Sequence, residues 1–132
     1  MFEQRAAYTA LAARLATVDL TLLIGVPTAI QALPAAYLVS TVIAVAPPAT
    51  FGAPRQRISR LRPTLTLAVA WQDQTAAEWQ IVDLVDVVAL AIIDAPLADV
   101  CTATIETVTY GWKDVGGITY RTADVALILS QL

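Results

Sequence analysis

Apolar residues recur at helical spacing near the start of the chain and then give way to strand-like alternation. Over residues 2–18, Tyr8, Leu11, Leu15 and Val18 follow an i, i+3, i+7, i+10 rhythm, which draws one apolar stripe along a helix. Arg5 and Arg14 fall away from that stripe, and the intervening alanines favour helix. Leu22-Leu23-Ile24 is a short apolar stretch halted by Gly25 and Pro27, which fits a short strand or a linker to a turn. Residues 36–45 are rich in β-branched side chains and flanked by prolines, which predicts a strand. Their near-continuous apolarity implies that both faces are covered, or that one face meets a partner. Pro47, Pro48, Gly52 and Pro54 mark a loop of about ten residues that resumes as a strand near Ile58.

The second half of the chain repeats this change of rhythm. From Thr64 to Trp71 the pattern alternates, with Leu65, Leu67, Val69 and Trp71 sharing one face of a strand. Asp73 to Thr75 open a second helix. Thr75-Ala76-Ala77-Glu78 fits a capping box, in which the Thr75 hydroxyl and Glu78 carboxylate satisfy the exposed backbone donors of the first turn. Ile81, Leu84, Val85, Val88 and Ile92 form its buried stripe, and Asp94-Ala95-Pro96 ends it. Two strands follow. Strict alternation over 101–112 puts Thr102, Thr104, Glu106, Val108, Tyr110 and Trp112 on one face and Cys101, Ala103, Ile105, Thr107 and Thr109 on the other. Lys113 to Gly117 form a glycine-bearing hairpin loop. The return strand, 118–130, sets Arg121, Ala123, Val125, Leu127 and Leu129 on one face. The expected architecture is α+β: a mainly antiparallel sheet of four to five strands with two helices packed on one side, in the order α-(β)-β-β-α-β-β, forming one domain over 1–132.

Composition narrows what such a domain does. The chain is 58% apolar and 14% charged, against roughly 45–50% and 25% in ordinary soluble domains. A partner chain is a natural place for the excess apolar surface. A membrane is excluded by segment length: the best run, Val87 to Ile93, is bracketed by Asp83, Asp86 and Asp94, far short of the roughly 20 apolar residues a span requires. The first residues, Met1-Phe2-Glu3-Gln4-Arg5, lack the basic-then-apolar order of a secretory signal. A net charge of −3 argues against a dedicated nucleic-acid binder.

Candidate chemistry is sparse. Histidine is absent, which removes the commonest general base and the commonest metal ligand. Cys101 stands alone with no basic neighbour in sequence to lower its pKa, so it reads as a buried strand residue. Asp83 and Asp86, three apart on the second helix, form a solvated face with no third ligand beside them. Gly116-Gly117 lies between two strands, where a hairpin turn accounts for it, and offers no helix N-terminus to a phosphate. No catalytic, cofactor or metal residue is expected, and the chain is not read as an enzyme. The local charge feature is basic: Arg55, Arg57, Arg60 and Arg62 hold half of the eight basic side chains. Phosphate contact with passing DNA, pairing with acidic patches on a neighbouring subunit, and a merely solvated arm are the three readings of that cluster. Trp79, Tyr110 and Trp112 are either interface anchors or ordinary packing residues.

The layout resembles the tail terminator proteins of long-tailed bacteriophages, the minor tail protein U-like or tail completion proteins. The resemblance is one of organisation along nearly the whole chain. A helix containing Gln4 to Leu11 precedes Leu33-Pro34-Ala35-Ala36-Tyr37-Leu38-Val39, where a proline and an aromatic lead into a strand. An arginine-rich, proline-containing arm then runs into Thr64 to Val69. A helix beginning Ala76-Ala77-Glu78 follows, and a hairpin closes on Tyr120 to Leu127. The resemblance implies a hexameric ring of self-associated subunits in the virion, made in the host cytoplasm. Such a ring caps the head-proximal end of the tail tube, ends its polymerisation and docks to the head–tail connector. Its partners are the major tail tube protein and the connector protein; DNA passes through the lumen without sequence readout, and no cofactor is implied. Contacts are expected at Arg55, Arg57, Arg60, Arg62, Tyr37, Tyr110, Trp112 and Lys113. A connector or adaptor subunit on the portal side and a small ligand-binding domain are the alternative readings.

Overall fold

The computed structural model describes residues 3–46, 57–93 and 96–132, with 42–46 and 57–59 described by backbone alone. The elements are α1 (Gln4–Ala16), β1 (Leu22–Ile24), β2 (Ala35–Ala46), β3 (Arg57–Ala70), α2 (Gln74–Ile93), β4 (Cys101–Val115) and β5 (Ile118–Gln131). The expected order therefore holds, with Leu22–Ile24 resolved as a strand. Five strands form one sheet in the order β1-β2-β3-β5-β4. β1 pairs with β2 in parallel, and every other neighbouring pair is antiparallel. The expected loop residues Pro47, Pro48, Gly52 and Pro54, with Arg55, lie outside the described residues, as do Phe2, Asp94 and Ala95.

Both helices cover one face of the sheet. Ala7, Ala10, Leu11 and Leu15 of α1 and Ala77, Ile81, Val85, Val88 and Ile92 of α2 are their buried positions. Leu11, Leu15 and the α2 residues from Ile81 to Ile92 join Leu38, Leu61, Leu65, Leu67, Val125, Leu127 and Leu129 in one apolar core. At about 1.5–3 kcal/mol for each large aliphatic side chain fully buried, this core is the main stabilising term. Arg14, which the periodicity sets aside as a solvent residue, joins the two helices. Its guanidinium donates to the Ala91 carbonyl at 2.9 Å and the Pro96 carbonyl at 2.8 Å. The last turn of α2 carries no basic residue of its own. Arg14 thus supplies from α1 the cation that the negative end of a helix favours.

Three local expectations change. The α2 cap is Asp73: its carboxylate accepts from the Thr75 and Ala76 backbone N–H groups at 3.0 and 3.3 Å. The Thr75–Glu78 box does not form, because the helix begins one residue before Thr75 and Glu78 turns to another partner. The five-residue hairpin loop is instead a two-residue turn. β4 continues through Lys113 to Val115, and Gly116 and Gly117 alone connect Val115 to its partner Ile118. Both glycines have positive φ, at 60° and 81°, as the tight turn that matches strand twist demands.

The third change is in β4. Its alternation is broken by a register shift between Ile105 and Thr107, where Glu106 is the extra residue of a β-bulge. Cys101, Ala103 and Ile105 face the helices beside Leu129 and Leu127. Beyond the bulge, Val108, Tyr110 and Trp112 take over that face, opposite Val125, Ala123 and Arg121. Thr102, Thr104, Thr107 and Thr109 lie on the other side, so the threonines share one face and the continuous period-2 assignment is corrected. A second shift, in β2 between Ser40 and Val42, lies opposite Pro63. Pro63 has no N–H to give the ladder. The Thr41 hydroxyl donates to the neighbouring Arg62 carbonyl.

The outer face, away from the helices, is partly roofed. Ile30, in the segment between β1 and β2, packs on Ala35, Ala68, Val115 and Tyr120. A Cβ on Gly116 would stand 2.8 Å from the Thr28 carbonyl oxygen. The glycine therefore lets the hairpin tip close against this segment.

Candidate interaction surface

Where α2 begins, the helix-facing side of the sheet runs on past its cover. Arg121 in β5 sits there, only 7% exposed. One terminal nitrogen approaches the Glu78 carboxylate at 2.7 Å, and the other donates to the Gly111 carbonyl at 2.9 Å. The guanidinium lies 4.3 Å from the Trp112 ring centroid and 5.9 Å from that of Tyr110. Trp112 in turn meets Trp71 with centroids 6.0 Å apart and planes at 60°, within the range of favourable tilted aromatic pairs. The β4 bulge is what brings Tyr110 and Trp112 to this side, across from Ala123 and Arg121.

The cation is held and the aromatics are not covered. Trp71, Tyr110 and Trp112 remain 39%, 41% and 56% exposed. A guanidinium desolvated against aromatic faces gains cation–π attraction of about 1–2 kcal/mol. With Glu78 and Gly111 as its polar partners it underlies the aromatic side chains. The Arg121 Nε is buried without a hydrogen-bond acceptor, a polar cost the cluster carries. Exposed tryptophan and tyrosine on a rigid base is the composition of an interface hot spot, and ordering already present lowers the entropy cost of association.

The expected contact residues fall into two groups on opposite faces. Tyr110 and Trp112 belong to the aromatic cluster just described. Lys113 is on the outer face, where its ammonium lies 2.9 Å from Asp124 and the Thr66 hydroxyl donates to the same carboxylate oxygen at 2.8 Å. Tyr37, expected at a contact surface, is 2% exposed. It lines, with Lys113, Val26, Val39 and Thr66, an outer-face hollow of about 460 Å³. Arg60 is exposed on β3. Arg62 makes a long, solvent-exposed approach to Glu106 at 3.8 Å. Arg57 is described by backbone alone and Arg55 lies outside the described residues.

Three members of the cluster, Arg121, Glu78 and Trp71, escape sequence reasoning about contact, since their meeting depends on strand register and helix placement. Trp79, weighed as core, rim or anchor, is exposed. Cys101 is buried, and burial pushes its thiol pKa up, the opposite of what a nucleophile needs. Among the described residues no cluster of acidic or sulfur side chains is arranged to hold a metal, and no helix is long and apolar enough to cross a membrane. Compared with known proteins, the sequence matches no family model, and no curated protein matches it significantly.

Proposed function

We propose that this chain is a structural subunit of the tail-terminator type. It self-associates into a closed ring at the head-proximal end of a phage tail tube, ends tube polymerisation and presents a surface to the head–tail connector. The observation that carries the reading is the braced aromatic cluster, in which Trp71, Tyr110 and Trp112 face solvent around a buried, ion-paired Arg121. Its geometry serves contact with a protein surface: anchors are exposed, and the charge beneath them is already matched.

The order of elements supports the same reading: helix, arginine-bearing strand pair, second helix and closing hairpin are the features on which the resemblance to those tail proteins rests. The acidic balance suits a lumen that lets DNA pass, because a surface of like charge does not grip the phosphate backbone. Ring closure and docking then need complementary protein surfaces and no chemical step.

The test is tube length. When the major tail tube protein of the same phage polymerises in the presence of this chain, electron micrographs are expected to show shorter tubes with added density at one end. A Trp112→Ala variant that folds normally is expected to lose that effect. Tubes of unchanged length, with the chain left unbound in solution, would overturn the proposal.

A further inference from the structure

α2 carries a second stripe, on the side opposite its core positions. Trp79, Asp83, Asp86, Leu90 and Ile93 recur at spacings of four, three, four and three, which lines them along one face of the helix. Trp79, Leu90 and Ile93 are 66%, 64% and 50% exposed, and both aspartates are exposed between them. At 1.5 Å rise per residue the stripe is about 21 Å long. Leu90 and Ile93 adjoin near its C-terminal end, Trp79 stands near its start, and the two exposed aspartates lie between them.

The charge that complements it is elsewhere in the same chain. Arg14, Lys113 and Arg121 are tied into contacts within the fold. Of the other five basic side chains, four lie between positions 55 and 62. Arg60 and Arg62 belong to the outer face of β3. Leu61, between them, is fully buried against the helices opposite Leu129, and Arg60 pairs with Ser130. The exposed approach of Arg62 to Glu106 holds it weakly. The acidic, apolar stripe therefore stands outside the helix layer, and the arginines lie on the opposite face of the sheet behind it. One chain cannot bring these two surfaces together.

We infer that the α2 stripe of one copy docks on the outer face of the next copy, with Asp83 and Asp86 against Arg60 and Arg62 and with Trp79, Leu90 and Ile93 supplying the apolar contact. Because the two surfaces differ and point in opposite directions, the contact is head-to-tail. Repeated, it closes into a ring or grows into a filament and does not stop at a two-fold dimer. The inference rests on the ring reading and names the interface within it.

A charge swap tests it on the full chain, with self-association followed by mass photometry and sedimentation. D83R/D86R and R60E/R62E each place like charges in the contact. Each alone is expected to require at least about tenfold more protein to assemble, and an equimolar mixture of the two is expected to recover wild-type assembly, because every junction then pairs opposite charges. Asp83, Asp86 and Arg60 are exposed and the half-buried Arg62 keeps its side chain 41% exposed, so native-like circular dichroism spectra are expected of both variants. L90Q/I93Q, which leaves the charges alone, is expected to weaken assembly as well. If the wild type assembles and both charge variants assemble as well as it does, the contact is wrong and the ring reading stands. If each variant fails alone and the mixture fails too, the pairing is wrong. A wild type that stays monomeric at high concentration and on tail tubes overturns the ring reading itself.

Discussion

Removing Glu78 tests whether the aromatic cluster is held as described. In Glu78→Ala the helix loses little propensity, and Arg121 loses the carboxylate 2.7 Å from its terminal nitrogen. Breaking one side of a fully buried pair costs about 3–5 kcal/mol, whereas exposed pairs contribute about 0–1 kcal/mol. This pair is mixed: the Arg121 side chain is 9% exposed and that of Glu78 is 53% exposed. Water can enter where the carboxylate stood, which lowers the cost. The guanidinium, with its Nε already lacking an acceptor, has little capacity to absorb a second loss. The expected destabilisation is about 1–2 kcal/mol, a fall in Tm of roughly 3–8 °C for a chain of this length. Glu78→Gln, which keeps an acceptor oxygen without charge, falls between. Urea unfolding of wild type, Glu78→Ala, Arg121→Met and the double variant gives the coupling directly, with Gln80→Ala as an exposed control expected within about 0.5 kcal/mol of wild type. A coupling indistinguishable from zero, or Glu78→Ala no worse than Gln80→Ala, refutes the idea that Glu78 braces Arg121.

Three other outcomes are expected. Asp73→Ala removes the α2 cap and costs about 1 kcal/mol, while Thr75→Ala changes stability little; the reverse order in urea melts would restore the capping box. Gly116→Ala strains a residue at φ 60° and drives its Cβ toward the Thr28 carbonyl, whereas Gly117→Ala meets strain alone. Both lose about 1–2 kcal/mol to the left-handed backbone, and Gly116→Ala is expected to lose clearly more in thermal denaturation. Cys101, with its pKa raised by burial, is expected to react with thiol reagents only on unfolding. The folded state favours the protonated thiol. Its contribution to stability is thus full below the ionisation of an unfolded cysteine, about pH 8.5, and is lost as pH rises through the alkaline range. Thiol labelling at increasing pH, alongside melts at each pH, checks both parts.

The sequence foretold those parts of the fold governed by local rhythm. Tyr8, Leu11 and Leu15 for α1, Ile81 to Ile92 for α2 and Leu65 to Val69 for β3 carry enough periodicity to fix element type and buried face. The β4 bulge was also legible. Apolar residues occupy 101, 103 and 105 and then 108, 110 and 112, a change of phase that strict alternation across Glu106 conceals. The length of β4 turned on the Gly-Gly pair, whose two positive-φ residues suffice for a tight turn and leave Lys113 to Val115 in the strand. Asp73 and Thr75 are both good caps, and the helix start between them decided which one serves.

Strand order and the candidate surface were beyond such reading. β3 pairs with β5 across the whole of α2 and β4, so Trp71, Trp112 and Arg121 meet through long-range register, and Glu78 reaches them only through the placement of α2. The two faces of the arginine and acidic stripes likewise follow from Leu61 and Ile81 pointing into the same core. Charge and exposure were visible along the chain; their opposition across the sheet was not.

The central claim is self-association into a closed ring, and the subunit number of the purified full chain tests it most directly. Native mass spectrometry and electron microscopy over a range of concentrations, alone and with tail tubes, should find one discrete closed ring, a hexamer, with subunits related head-to-tail. A chain that remains monomeric throughout, or that stops at a two-fold dimer, would contradict the account.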